Sequence, residues 1–197
     1  MNYTHHFENH PRRTTVILFA ASETGAQSGK DTGANFFEKY MASQGKKVTI
    51  THHADLLKQM VKMYYKTDDD KFKIRGLYQE LGTDIIRKDR PEYWVQHILG
   101  QLDFIDRLDD TSKYILIPDA RFPNEIEGYR NAGYKTISVN VCRPGYDNGL
   151  TEEQRNHPSE TALRGYPFDI TFVNDGTLED YEAKIIEFAK SLIANEK

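Results

Sequence analysis

Cysteine is nearly absent from this chain: among 197 residues there is one, Cys142. A single thiol excludes an internal disulfide framework and fits a reducing compartment such as the cytoplasm. Long hydrophobic runs are missing too. No stretch approaches the ~20 apolar residues that a membrane helix requires, so no membrane association is expected. The opening residues, "MNYTHHFENHPRRTT", are polar and hold no apolar signal core, so no secretion is expected either. There is no internal repeat, no low-complexity run and no Pro/Gly/Ser linker. Positive charge is not in excess. A net charge of −4 argues against a stable nucleic-acid partner, because such binding rests on neutralising phosphates. It leaves a nucleotide-sized ligand open, since a few local arginines make a positive pocket in an acidic protein. No Cys or carboxylate spacing supports a metal site at His5, His6, His10, His52 or His53, which read as solvated or structural.

What is present is the make-up of one globular domain, 38% hydrophobic and 28% charged. Residues 1–13 read as a loose arm and 14–197 as a single domain. Five short apolar runs read as strands: "TVILFA" (15–20), "KVTIT" (47–51), "YILIPD" (114–119), "KTISVNVCRP" (135–144) and "DITFVND" (169–175). Helical patterns lie between them. From Asp31 the residues Ala34, Phe37, Tyr40 and Met41 share one face, and Gly45 can end that helix. "ADLLKQMVKMYY" (54–65) reads as helix, followed by the acidic turn 68–70. The region 71–110 is mostly helical, with Leu77, Leu81, Ile85 and Ile86 at helical spacing. In the last helix Thr177 can cap, Asp180 takes the capping-box position, and Tyr181, Ile185, Phe188, Ala189 and Leu192 form the buried stripe. Strands alternating with helices imply an α/β fold, a parallel sheet covered on both faces. Ligands of such sheets bind at the carboxyl ends of the strands. Here those ends lead into Ser22–Lys30, Asp119–Arg121, Arg143 and Asn174–Gly176, all polar or glycine-rich.

The stretch "ASETGAQSGKDTGANFFEKY" (21–40) contains Gly29-Lys30 between a strand and a helix, the setting of a phosphate-binding loop. Backbone N–H groups and Lys30 would meet phosphate oxygens there, and Thr32 can bond one. The usual spacing wants a glycine at position 24. This chain has Thr24, with Gly25 one place late. Asp31 is either linked to Mg²⁺, which takes oxygen ligands, or a helix N-terminal carboxylate favoured by the dipole. Asp119 ends an apolar strand, as magnesium-orienting carboxylates do, or forms a turn. Arg121 can fork onto a phosphate, while "RFPNE" can also be a turn with Asn124 as helix cap. Arg75, Arg87 and Arg90, with Asp84 and Trp94, carry the residue types of a monophosphate and base site, or else a solvated helix face beside a core tryptophan. Residues 143–160 have the composition of a lid, and Arg155 within it can face transition-state charge or solvent.

Six pieces together resemble the bacteriophage-type deoxynucleoside monophosphate kinases of the phosphate-loop kinase superfamily. They are "SGKDT" (28–32), "HADLLK" (53–58), "RGLYQELGTDIIR" (75–87) with Trp94, "PDARFPNEIE" (118–127), "VCRP" (141–144) and "HPSE" (157–160). They occur in the family's order. The resemblance implies a three-layer P-loop kinase fold, a five-stranded parallel sheet with helices on both faces, a helical monophosphate-binding region at about 60–110, and a lid at 143–160. It implies ATP- and Mg²⁺-dependent phosphorylation of a deoxynucleoside 5′-monophosphate in the cytoplasm, the host's where a phage encodes the enzyme. Carried onto this chain, Gly25 and Ser28–Thr32 would hold ATP phosphates, with Lys30 on the transferring group. Arg75, Asp84, Arg87, Trp94 and Glu160 would serve the monophosphate. Asp119 and Arg121 would sit between donor and acceptor, with Asp31 and Asp119 toward the metal. Arg143 and Arg155 would frame the lid, and Asn174 and Gly176 would lie near the adenine. Two other readings share the residues: the same fold with another acceptor (a modified base in DNA, or dephospho-coenzyme A), and a nucleotide-binding relic without catalysis. The preferred base and the existence of a homodimer are not set by pattern alone.

Overall fold

In the computed structural model residues 12–23, 27–65, 75–108 and 113–196 are described. Thr24, Gly25, the acidic turn at 68–70 and nearly all of the N-terminal arm lie outside them. The five expected strands form: β1 (Thr14–Ala20), β2 (Lys47–Ile50), β3 (Lys113–Ala120), β4 (Lys135–Cys142) and β5 (Ile170–Val173). They make one sheet in the order β2-β3-β1-β4-β5, and every neighbouring pair is parallel. Each crossover carries helix, as parallel pairing requires.

Strand β1 explains the three layers. It runs through the middle of the sheet and is buried along nearly its whole length. Its side chains alternate between faces with the pleat. Ile17 and Phe19 meet Ala34, Phe37 and Met41 of α1 (Lys30–Ser43) and Tyr181, Ile185, Phe188, Ala189 and Leu192 of α8 (Leu178–Ala194). Val16, Leu18 and Ala20 meet Val95, Ile98 and Leu102 of α4 (Tyr93–Leu108), and Ile126 and Tyr129 of α5 (Pro123–Asn131). Each large side chain buried this way contributes roughly 1.5–3 kcal/mol. Helix α8 starts as the sequence suggests, with the Thr177 hydroxyl accepting from the Asp180 amide and the Asp180 carboxylate accepting from the Thr177 amide.

The central helical region departs from regular spacing at one place. After α2 (Ala54–Tyr65) and α3 (Arg75–Gln79), residues Glu80–Arg87 wind as a π-helix. Its bonds reach one residue farther than in an α-helix. The apolar step therefore runs from Leu81 to Ile86. Leu77, Leu81 and Ile86 pack beside the small cluster of Leu57, Val61 and Trp94, whereas Ile85 is turned out and 52% exposed. The α-helical spacing expected for Ile85 is corrected by that longer step. The second correction concerns α5. Asn124 does not cap it. The N-cap residue is Phe122, and the Glu125 carboxylate accepts the Phe122 amide at 3.1 Å. Asn124 instead donates to the Pro91 carbonyl at 2.9 Å, tying α5 to the approach to α4. Two short helices, α6 (Glu152–Asn156) and α7 (Pro158–Thr161), precede β5.

Candidate active site

The loop after β1 delivers Lys30 to the N-terminus of α1. Gly29 sits just before it at φ +104°, a left-handed conformation that side chains avoid. The surroundings also demand glycine, since a Cβ there would lie 2.7 Å from Nδ2 of Asn174. That Asn174 amide donates to the Ser28 carbonyl at 3.0 Å, and the Tyr181 hydroxyl donates to the Gly29 carbonyl at 3.1 Å. The loop is thus held from the far side by β5's exit and by α8. Among the described residues no side chain caps α1, which leaves its N-terminus in the arrangement that receives an anion.

Lys30 is buried, its amine donating to the Ser28 hydroxyl at 3.3 Å. Burial, with the nearby positive charge of Arg121, pushes its pKa down to about 7; Glu160, Asp31 and Asp119 pull the other way. Asp119 leaves the end of β3. Its two oxygens accept the backbone amides of His53 and Ala54, each at 2.9 Å, and Nδ1 of His53 stands 3.4 Å away. Burial alone would raise this carboxyl, but the His53 contact and the amide bond from Ala54 hold it well below the usual range, so it stays ionised. His53 is itself buried, with Nε2 2.9 Å from the Tyr129 hydroxyl. The His52 ring bridges Asp31 and Asp55, at 3.3 Å to each, and that hydrogen bond lowers the Asp31 pKa. Both histidines are structural. The Arg121 guanidinium bonds the buried Glu160 carboxylate at 2.7 Å.

Two clefts open on this centre. One, of about 360 Å³, is lined by charged residues, among them Lys30, Asp31, Asp119, Arg121 and Glu160, and by the apolar or aromatic Leu57, Tyr78, Trp94 and Phe122. The other, of about 310 Å³, is lined by Gly29, Asp31, Thr32, Arg143, Asn174 and Gly176. Gln27 and Asp31 border both. Most of the residues singled out in the sequence therefore fall around two adjoining cavities.

Several do not. Asp84 lines neither cleft; its exposed carboxylate lies 3.5 Å from Nε2 of His157. Arg155 is likewise outside both, paired with Asp147 at 3.2 Å in solvent. Arg87 borders the larger cleft, but its guanidinium is held by the Glu125 carboxylate, by Asn124 at 3.1 Å and by the Pro91 carbonyl at 3.2 Å. It is a buried tie, stacked 4.0 Å over the Phe122 ring, rather than a free phosphate fork. Trp94 is 4% exposed, and its indole N–H donates to the Gly82 carbonyl at 3.1 Å, so it forms wall rather than a face open for stacking. Gly25 and the Arg75 side chain lie outside what is described. Gln27, Gln79 and Tyr181 also border these clefts, and of the three only Tyr181 carries a signal in the sequence, the helical stripe that reads as core.

Two carboxylates of settled charge, both oxygen donors, suit the few protein ligands that Mg²⁺ takes when phosphates and water complete its shell. Asp31 and Asp119 fit that role.

The deoxynucleotide monophosphate kinase family matches this chain over residues 35–185. The chain belongs to that family. It is 34% identical over 125 residues to the deoxynucleotide monophosphate kinase of Enterobacteria phage T4, covering 63% of this chain and 48% of that protein. With the enzyme of the same name from Escherichia phage RB69 it shares 34% over 119 residues, 59% of this chain and 45% of that one. The alignments thus span about half the length of these relatives. Among solved structures, the Mycobacterium tuberculosis APS kinase CysC in complex with AMPPNP and APS superposes with a TM-score of 0.50 at 16% identity. That match covers 91% of this chain and 99% of the other, and at that identity it speaks for the fold, that of a P-loop kinase. The family match takes in Asp119, Arg121, Glu160, Asn174 and Tyr181. Residues 28–32 precede it, so the reading of the loop rests on its geometry.

Proposed function

We propose that the chain transfers the γ-phosphoryl group of ATP to a deoxynucleoside 5′-monophosphate, giving ADP and the deoxynucleoside diphosphate. The observation that carries this reading is the pair of clefts that share Gln27 and Asp31, with Lys30 lining the larger and Gly29 beside it the smaller. Transfer between two nucleotides needs two pockets that share one phosphate-handling centre. The smaller cleft, beside Gly29, Thr32, Asn174 and Gly176, takes ATP. The larger takes the monophosphate, its phosphate toward Arg121 and its base toward the apolar wall built by the helical region at about 60–110.

The reaction makes modest covalent demands on the protein. An oxygen of the acceptor phosphate is already anionic, so no side chain has to remove a proton from it. The new P–O bond forms as the bond from the γ-phosphorus to the bridging oxygen breaks, and ADP keeps that electron pair. Lys30 and Arg121 neutralise the charge spread over the transferring oxygens. Asp31 and Asp119 are the residues that would hold Mg²⁺, which would supply further charge neutralisation at the phosphates. Glu160 orients Arg121. The segment 143–160 serves as a lid, with Arg143 lying 3.9 Å over the Tyr146 ring and that ring's hydroxyl donating to Gln27 at 2.8 Å. Among the described residues no helix is long and apolar enough to cross a membrane, and we take the reaction to be cytoplasmic.

The test is a coupled assay of ADP release with each deoxynucleoside monophosphate. ADP should appear only when a monophosphate is present, and Lys30→Ala should lower kcat by about 10²-fold or more. No turnover with any of them overturns the reading.

A further inference from the structure

Gln79 is the last residue of α3, immediately before the π-helix, and it lines the larger cleft. Its side-chain Nε2 is shut away from water and has no hydrogen-bond partner. Buried amide nitrogens are almost always paired, and an unpaired one is destabilising. Tyr78, Leu57 and Trp94 line the same cleft, and the Trp94 N–H is already engaged with Gly82. The groups that attract phosphate, Lys30 and Arg121, also line the cavity. A ligand that puts phosphate on those cations and a flat ring on the apolar residues fills the cavity that Gln79 also lines.

We infer that the Gln79 carboxamide is the base-reading group of this cleft: turning about its last side-chain bond, it exchanges its unpaired, buried Nε2 for one that faces the cleft and donates to a carbonyl oxygen or ring nitrogen on the edge of the monophosphate's base. The inference rests on the reading of the cleft as the monophosphate site. The energetic logic is that of a polar group left unpaired in the empty state. A base with an acceptor in reach removes that penalty, and a base presenting a donor there adds a second unpaired group. Discrimination then arises from one side chain without a charged contact. The backbone supports a fixed position for it, because Gln79 stands at φ −66° and ψ −47° with the π-helix beginning at the next residue.

Trp94 is the only tryptophan of the chain and borders this cleft, so its fluorescence reports occupancy without turnover. The wild type, Gln79→Leu and Gln79→Glu are titrated with the four deoxynucleoside monophosphates and with deoxyribose 5-phosphate, which has no base. For the base that the wild type holds best, Gln79→Leu should weaken binding about tenfold, while deoxyribose 5-phosphate binds as before. Gln79→Glu should shift preference toward a base that presents a donor. The Leu variant should melt no lower than the wild type, since it removes an unpaired group. Three results overturn the inference: equal weakening with and without the base, an unchanged ranking of bases, or wild-type binding that ignores the base. ADP release measured on the same proteins separates the two claims. Base-dependent binding without turnover strikes the proposed reaction and leaves the role of Gln79 intact.

Discussion

Nucleotide binding should draw a proton onto this protein, and Lys30 should be the group that takes it. In the structure the amine is buried, and burial together with Arg121 brings its pKa to about 7 from the ordinary 10.5. At pH 8 only about a tenth of the molecules then carry charge there. A polyphosphate placed against the amine restores the charged form. Binding of ADP at pH 8 should therefore take up about 0.9 proton, at pH 7 about 0.5, and at pH 6 about 0.1. Phosphate loses its own last proton near pH 6, so the value at pH 8 belongs to the protein. Titration calorimetry in two buffers of different ionisation enthalpy reads the uptake directly. Lys30→Met should take up almost none. The same displacement has a consequence for the unliganded protein. Between about pH 7 and 10.5 the unfolded chain holds a proton that the folded chain has released, so stability gains with rising pH across that window. The ceiling is roughly 5 kcal/mol at about 1.4 kcal/mol per pH unit, and Lys30→Met should remove this contribution from the pH profile of Tm. Absence of proton uptake at pH 8 by the wild type, or equal uptake by Lys30→Met, refutes the reasoning.

Gly29→Ala meets both a left-handed backbone and the Asn174 amide, and should cost about 1–3 kcal/mol in thermal unfolding with a larger loss of ATP affinity by calorimetry. Gly33→Ala would put a Cβ 2.4 Å from the Tyr181 hydroxyl oxygen; the double change with Tyr181→Phe should recover part of the lost Tm, whereas additive losses would deny the clash. Glu125→Gln leaves the Arg87 guanidinium buried without its counter-charge and should cost about 3–5 kcal/mol in denaturant unfolding.

The strands were legible because each is a short apolar run bounded by turn residues, and a strand buried on both faces needs no alternation to be recognised. Helix α8 was legible for a different reason: its cap, box and stripe are all local. What failed was non-local. Nothing in "RGLYQELGTDIIR" announces that Glu80–Arg87 winds as a π-helix, because the longer step depends on the cluster it packs against. Arginines were the other difficulty. Arg87 and Arg121 look alike in sequence, and each has a carboxylate partner. The partner of Arg87 is Glu125, four residues beyond Arg121, and the pair is buried with Asn124 and Pro91 closing around it. The partner of Arg121 is the buried Glu160, which lines the cleft, and the Arg121 side chain remains 26% exposed. A guanidinium's role is set by how many of its donors are already taken, and that count requires the fold.

The sheet order accounts for the position of the charged centre. Strand β1 lies between β3 and β4, so its carboxyl end, which becomes the Lys30 loop, has the end of β3 on one side and the end of β4 on the other. Parallel strands put all those ends on one edge. The β3 side supplies Asp119 and Arg121, which border the larger cleft. The β4 and β5 side supplies Arg143 and Asn174, which border the smaller. Two cavities flanking one loop are thus a consequence of placing the phosphate loop on the central strand. Had β1 been an edge strand, the loop would have had a neighbour on one side alone, and a donor and an acceptor could not have approached it from opposite sides. The pleat adds a second constraint. The same strand that positions Lys30 carries Ile17 and Phe19 into one core and Val16 and Leu18 into the other. A one-residue slip of β1 would exchange those faces and shift the loop together. The geometry of the charged centre is therefore stabilised by both hydrophobic layers at once.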